Sequence, residues 1–348
     1  MGIGGKRGIS RQDWTSRPVM ELLGYRICDL GLTISGTPIE RAVATLRDEM
    51  RSAGLRYAPK VWLGEEWYTP PEQPGIAIPF YLAHPKLVQL ERRLMFEVEG
   101  GSRKDCMKLL RHEAGHAMQF AYRLHRRREW RELFGSSSTP YPDAYRPRAY
   151  SRDYVLHLDN YYAQAHPDED FAETFAVWLT PGSRWKTRYA GWPALAKLEY
   201  VDRLMAEIAE AEPAVPSRKA DQTLSSITQT LGEHYDERRR RYGLDNAEVY
   251  DRDLRRLFEP PLKSDTRPRA AAWLRSNRRD LIAVVGKWTE QYPYTVNDIY
   301  SVMIARAAEM RLRVPDTRLD DELKREVAVM VAVQTMTHLH DGGRWVTL

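Results

Sequence analysis

Residues 110–124 read LRHEAGHAMQFAYRL, and the pentapeptide HEAGH within them is the most informative stretch of the chain. His112 and His116 are four positions apart, so on an α-helix they lie on one face and within reach of a single zinc ion. Glu113 lies between them, where it can take a proton from a water at such a metal. The alternative interpretation is a helix with two partly buried histidines. Apolar residues surround the pair, and a buried histidine pair beside a carboxylate needs a partner, which a metal supplies.

A second segment, HPDEDFAETFA at 166–176, offers the third zinc ligand. The longer pattern HExxHxxGxxH does not apply, because Gln119 and Tyr122 stand where it requires glycine and histidine. Glu169 and Glu173 are four apart and share a helix face. From spacing alone, either can bind the metal while the other accepts the spare N–H of a ligand histidine. An ordinary acidic first turn, favoured by the helix dipole, is the competing interpretation.

Length and composition exclude several protein classes. At ~150 residues per domain, 348 residues suggest about two domains, with a boundary near residue 216. No apolar run approaches the ~18 residues of a membrane span, so no membrane association is predicted. The net charge is only +5 and acids are interleaved with bases, a pattern that does not favour nucleic acid as a partner. Only two cysteines occur and no secretory signal is recognised, which indicates a cytoplasmic protein.

The periodicity of the chain predicts an α+β fold. We expect a small mixed β-sheet and an HExxH helix in residues 1–215, followed by a mainly helical region over 216–348. A helix is predicted from Pro38, with Thr37 as its cap, Glu40 completing a capping box and Gly54 ending it. The predicted strands are Tyr25–Ile34, Pro59–Tyr68 and Gly75–Leu82, and the further helices of the first region are 85–98, 103–130, 167–180 and 194–211.

The two motifs resemble those of the gluzincin metallopeptidases. HEAGH is followed some fifty residues later by EDFAETFA, in keeping with the gluzincin second motif Glu-x-x-x-Asp/Glu. Tyr162 lies seven residues before Glu169, as a tyrosine does in the lethal-factor-like branch. GIAIPFYLAHP, LRHEAGHAMQFAYRL, HPDEDFAETFAVWL and GWPALAKLEYVDRLM are similar to a bacterial family described as putative zinc-binding metallopeptidases. This resemblance covers about residues 20–210, and the C-terminal third resembles no family that we recognise.

The resemblance implies a zincin-like fold and a role for each matched residue. It implies that one zinc is bound by His112, His116 and Glu169, with Glu113 as general base. Glu173 then stands behind a ligand histidine, and this position departs from the aspartate of the thermolysin pattern. Tyr162 is implied to stabilise the oxyanion. Its neighbour Tyr161 cannot point at the zinc as well, and packing of either aromatic ring is the other interpretation.

Two functions from different classes therefore stand at this point. The first is a zinc peptidase or amidase, in which Glu113 activates the attacking water and an extended peptide or protein substrate pairs with the strand Gly75–Leu82. The substrate contacts predicted on this view are Ile76, Ala77, Ile78 and His166, although helix capping is the favoured role of His166. The second is a non-catalytic binding or regulatory protein whose zinc site is closed by a fourth ligand and whose helical C-terminal region binds partners. The candidates for that fourth ligand are His157, Asp159 and His166. The sequence does not indicate the oligomeric state.

Overall fold

The computed structural model of the chain describes residues 13–95, 98–142, 144–145, 147–148, 150–216, 223–241, 250–289, 291, 293–338 and 346–347. Its contacts divide the chain into two compact units, one ending at Asp236 and the other covering Glu237–Thr347. The first unit thus extends beyond residue 216, and the domain boundary proposed there stays a prediction. None of the helices described combines the length and apolar character that crossing a bilayer requires.

The elements of the first unit are mainly helical. Its strands are β1 (Lys60–Gly64), β2 (Gly75–Pro79) and the two-residue β3 (Ala144–Tyr145). Its helices are α1 (Pro38–Ser52), α2 (Pro85–Leu94), α3 (Arg103–Ala121), α4 (Arg128–Phe134), α5 (Pro167–Leu179), α6 (Trp185–Arg188), α7 (Ala194–Ile208) and the start of α8 (Leu231–Arg241). The α+β class predicted from the sequence is confirmed, and α3 carries both histidines of the HEAGH motif.

The second unit is helical, as predicted for the end of the chain. It contains α9 (Asp251–Leu257), α10 (Ala270–Thr289), α11 (Pro293–Glu309) and α12 (Asp320–His338), and the short strand β4 (Val346–Thr347). Its separate hydrophobic core includes Leu274 of α10, Met303 of α11 and Val331 of α12.

The sheet of the first unit is smaller than the sequence predicts. β1 and β2 pair in parallel from Lys60 opposite Gly75 to Gly64 opposite Pro79. On the other side of β2, Ala77 forms an isolated antiparallel bridge with Tyr68. The Ala77 N–H donates to the Tyr68 carbonyl at 2.8 Å, and the Tyr68 N–H donates back at 3.4 Å. All of β2 is buried, so this strand is enclosed between β1 and the residues around Tyr68.

Several predicted boundaries are wrong. The predicted strand Tyr25–Ile34 instead contains a 3-10 turn, Ile27–Asp29, because its backbone bonds to residues 227–231 rather than to a sheet. The predicted helix 103–130 stops at Ala121, whose carbonyl accepts the Val215 N–H. Two residues later Arg123 has φ 51°, a left-handed conformation that ends a right-handed helix.

The start of α1 is correct but its capping is not. The helix begins at Pro38 as predicted. The Thr37 hydroxyl, however, turns back to donate to the Ile34 carbonyl at 2.5 Å. Glu40 accepts instead from the N–H of Gly36 at 2.8 Å. Glu40 therefore caps the N–H of Gly36, where the predicted capping box requires the N–H of Thr37.

Helices α3 and α5 pack closely through a glycine. A Cβ at Gly115 would lie 2.8 Å from the Ala172 Cα and 3.0 Å from its carbonyl oxygen. Real Cβ atoms do not approach backbone this closely, so only glycine permits this packing. On the outer side of α5, the Lys197 ammonium of α7 donates to Asp170 at 2.6 Å. The two motif helices are therefore held at short range, and their facing side chains meet.

Candidate metal centre

Three side chains from α3 and α5 converge on one point. His112 Nε2 lies 3.1 Å from His116 Nε2. The Glu169 carboxylate oxygen Oε2 lies 3.0 Å from the first of these nitrogens and 3.2 Å from the second. All three residues are buried. The helical spacing places both imidazoles on one face of α3, and the close packing at Gly115 brings the first turn of α5 within reach of them.

Glu173 fixes which nitrogen of His112 carries a proton. His112 Nδ1 lies 2.9 Å from Glu173 Oε1, so an ionised Glu173 requires that Nδ1–H donates. The other oxygen of Glu173 accepts the Leu158 N–H at 2.8 Å. His112 Nε2 is then the nitrogen that faces the cluster, and a metal that displaces its proton would bind there. His116 Nδ1 has no such acceptor among the described residues.

The electrostatics of the cluster favour a positive charge at its centre. Burial by itself lowers the pKa of His112, but hydrogen bonds to Glu169 and Glu173 raise that pKa well above its usual range. Burial likewise raises the pKa of Glu169, whereas the two histidines hold it well below its usual range. Acceptor atoms 3 Å apart repel one another unless a cation lies between them.

The donor set and its spacing suit zinc. Two imidazole nitrogens and one carboxylate oxygen are a common ligand set of catalytic zinc, which leaves a fourth position for water or substrate. Ligands bound at ~2.0–2.1 Å in a tetrahedron are about 3.3 Å apart. The three separations here are 3.0, 3.1 and 3.2 Å, close to that value. The residues present therefore fit a zinc ion.

The residue between the histidines is held by a threonine that the sequence did not indicate. The Thr69 hydroxyl donates to Glu113 Oε2 at 2.8 Å, and its oxygen lies 3.2 Å from the Glu113 carbonyl. Both residues are buried. Thr69 follows Tyr68, whose backbone pairs with Ala77 of β2. Thr69 and Glu113 are 44 residues apart in the sequence, and no motif around Thr69 predicts the contact.

Tyr162 lies beside the cluster. Its ring centroid is 5.6 Å from that of His112. Burial raises the pKa of Tyr162, and the charges of Glu169 and Glu113 raise it further, so the phenol stays protonated at neutral pH. Its hydroxyl forms no hydrogen bond with any of the described residues. Tyr161, immediately before Tyr162, has φ 54°, a left-handed conformation that is uncommon for a residue with a side chain.

A second tyrosine, which the sequence analysis did not predict, contacts the cluster. The Tyr141 hydroxyl donates to Glu169 Oε1 at 2.9 Å. Its ring stacks on the His166 ring with centroids 3.8 Å apart. The segment around it was expected to be irregular, rich in Ser, Pro, Tyr and Arg, and one tyrosine of several in such a segment carries no distinguishing signal.

The predicted substrate contacts do not reach a surface. Ile76 and Ile78 are fully buried in the core, and the backbone of Ala77 is already paired with Tyr68. His166 is also buried: its Nε2 donates to the Thr139 carbonyl at 2.7 Å and its Nδ1 accepts the Asp168 N–H at 3.1 Å. That is the helix-capping role considered for His166. The strand β2 is therefore flanked by β1 and, at Ala77, by Tyr68, and its contact with a substrate stays a prediction.

None of the three candidates for a fourth ligand joins the cluster in the part of the chain that the structure describes. His157 Nε2 donates to the Lys108 carbonyl at 3.0 Å. Both ring nitrogens of His166 are bonded elsewhere. Asp159 is exposed at the start of the turn Asp159–Gln164.

Comparison with known families agrees with this site. Residues 102–233 match the model of a family described as "Putative zinc-binding metallo-peptidase". The matched region contains both motifs and all of α3 and α5, and the resemblance predicted from the sequence is confirmed over these residues. No curated protein and no solved structure matches the chain. The chain thus carries a region similar to zinc-binding metallopeptidases, with a buried histidine, histidine and glutamate cluster inside it.

Proposed function

We propose that the protein is a zinc-dependent hydrolase that cleaves peptide or amide bonds. The convergence of His112 Nε2, His116 Nε2 and Glu169 Oε2 within 3.0–3.2 Å carries this proposal. The match of residues 102–233 to a metallopeptidase family model supports it. The substrates that this class of chemistry implies are peptides or proteins. We further propose one zinc per chain, the gluzincin type of site and a cytoplasmic location.

Zinc bound here would act as a Lewis acid toward the scissile carbonyl and would lower the pKa of water toward ~7. Glu113, held by Thr69, accepts the proton of the attacking water and delivers it to the leaving amine. Tyr162 donates a hydrogen bond to the carbonyl oxygen as its negative charge develops. Glu173 holds His112 in the tautomer that presents Nε2.

The other function considered, a zinc-stabilised binding protein, calls for a closed site. Structural zinc usually has four protein ligands. The described residues supply three, and both His157 and His166 are bonded elsewhere. The presence of a buried carboxylate beside the cluster, Glu113, also favours catalysis, because a purely structural site has no use for a base. We therefore favour the hydrolase.

The test combines metal analysis with profiling on a diverse peptide library. Purified full-length protein should bind about one zinc and cleave a subset of peptides. Glu113→Gln should keep its zinc and lose activity by a factor on the order of 100 or more. Zinc binding without cleavage of any peptide or protein would support the structural alternative. Failure of the parent protein to bind zinc would overturn the proposal.

A further inference from the structure

The two oxygens of Glu169 have different partners. Oε2 faces the two histidine nitrogens at 3.0 and 3.2 Å. Oε1 instead accepts the Tyr141 hydroxyl at 2.9 Å. A buried carboxylate oxygen without a hydrogen bond has lost its hydration without compensation. The phenol supplies that hydrogen bond to the oxygen that the histidine contacts do not use.

Tyr141 is held in place by contacts that do not involve a metal. Its ring stacks on His166 at 3.8 Å with an angle of 17° between the ring planes. His166 is itself fixed, because it donates to the Thr139 carbonyl and accepts from the Asp168 N–H. Thr139 and Tyr141 thus contact the same imidazole, one through its backbone and the other through its ring.

The sequence around Tyr141 also restricts its backbone. It reads Pro140-Tyr141-Pro142. A residue before proline is confined to extended conformations, and each proline fixes its own φ. The chain therefore loses little further conformational entropy when the phenol is placed over Glu169.

The hydroxyl remains a donor at all pH values near neutrality. An ordinary tyrosine phenol has a pKa of ~10 and is therefore protonated near pH 7. A phenol that cannot ionise can only donate to a carboxylate. Tyr141 as a whole residue is 51% exposed, so its replacement should affect folding little.

We propose that Tyr141 is a positioning residue for the zinc ligand Glu169: its hydroxyl holds Oε1 away from the metal, so that Glu169 binds through Oε2 alone. This inference rests on the proposed function. Without the hydroxyl, the carboxylate is free to rotate or to offer both oxygens. Partners of this kind typically change metal affinity by about 10- to 100-fold when they are removed.

The experiment measures zinc affinity by chelator competition for the full-length parent protein, Tyr141→Phe and Tyr141→Ala. Tyr150→Phe is the matched control, because Tyr150 is 88% exposed and lies in the same Pro- and Tyr-rich stretch. Tyr141→Phe should raise the zinc Kd by about 10- to 100-fold, with the unfolding temperature of the zinc-free protein unchanged. The zinc Kd of Tyr141→Ala should exceed that of Tyr141→Phe by no more than a few-fold. The zinc Kd of Tyr150→Phe should equal that of the parent protein. In cobalt-loaded protein, Tyr141→Phe and Tyr141→Ala should both change the visible absorption spectrum, which reports the coordination geometry, and Tyr150→Phe should not.

The outcomes separate this inference from the proposed function. Parent-like zinc affinity in Tyr141→Phe would overturn the inference and leave the proposed function standing. A loss confined to Tyr141→Ala would assign the effect to ring packing and would also overturn it. A parent protein that binds no zinc would overturn both.

Discussion

The hydroxyl of Thr69 donates to Glu113 Oε2 at 2.8 Å and so connects the glutamate of the HEAGH motif to the sheet. Tyr68, the preceding residue, exchanges backbone hydrogen bonds with Ala77 of β2. The carboxylate proposed as general base is therefore oriented from outside its own helix. Because both residues are buried, the hydrogen bond is shielded from competing water.

Replacement of Thr69 tests this orientation. Thr69→Val keeps the shape of the side chain and removes only the donor. We expect kcat/KM to fall by about tenfold, or ~1.4 kcal/mol, because Glu113 is no longer held toward the attacking water. Zinc content should not change. Thr45→Val is the control, because the Thr45 hydroxyl donates only within α1, to the Arg41 carbonyl. Equal kcat/KM for both variants would remove Thr69 from the site.

The role of Glu173 is tested by Glu173→Gln, which replaces an obligatory acceptor with an amide. The zinc Kd should rise by about 10- to 100-fold, because His112 loses the partner that fixes its tautomer. Glu169→Gln should cost more, since it alters a ligand itself. Glu199→Gln on the exposed face of α7 is the control. A larger loss in Glu173→Gln than in Glu169→Gln would reverse the roles assigned to these two glutamates.

Gly115→Ala tests the packing that brings the ligands together. An added Cβ would lie 2.8 Å from the Ala172 Cα, so α3 and α5 must move apart. We expect the free energy of unfolding, measured by heat or denaturant, to fall by about 1–3 kcal/mol. Zinc binding should also weaken. Gly24→Ala is a suitable control, because a Cβ there meets no atom within 4 Å. Unchanged stability and zinc affinity in Gly115→Ala would show that the helices yield without cost.

Tyr162→Phe tests the donor proposed for the oxyanion. The ring stays and only the hydroxyl is lost, so zinc content and unfolding temperature should be unchanged. We expect kcat to fall by the equivalent of roughly 2–4 kcal/mol with KM little altered, because the bond strengthens only in the transition state. Tyr161→Phe should be nearly silent. If Tyr161→Phe is instead the damaging change, the donor is the neighbouring residue.

Local pattern was sufficient to find the residues that share a helix face. Four positions separate His112 from His116, and four separate Glu169 from Glu173. Residues at this spacing share a face of any α-helix, whatever the rest of the fold is. The close approach of α3 and α5 was not predicted, although the glycine within HEAGH is its cause. The start of α1 at Pro38 was predicted for the same local reason, since proline and its neighbours mark a first turn directly.

Contacts made across the fold were not predictable in this way. Tyr25–Ile34 has the composition of a strand, but residues 227–231 take its backbone hydrogen bonds, and that pairing is visible only in three dimensions. Thr69 and Tyr141 reach Glu113 and Glu169 from segments 44 and 28 residues away. The peptide-binding edge predicted at Ile76 and Ile78 stays a prediction; the pairing of Tyr68 with Ala77 beside it is another contact that the sequence pattern did not indicate.

The two hydrogen bonds of Glu173 also connect metal affinity to chain order. One goes to His112, and the other comes from the backbone of Leu158, directly before the turn that carries Tyr162. A cation bound by His112 would hold that imidazole in place, the imidazole holds Glu173, and Glu173 holds the backbone at Leu158. Loading of the metal and placement of the tyrosine are then thermodynamically linked, so that each increases the population of the other. Tyr162, the proposed oxyanion donor, should then be held more firmly in the metal-bound protein than in the metal-free protein.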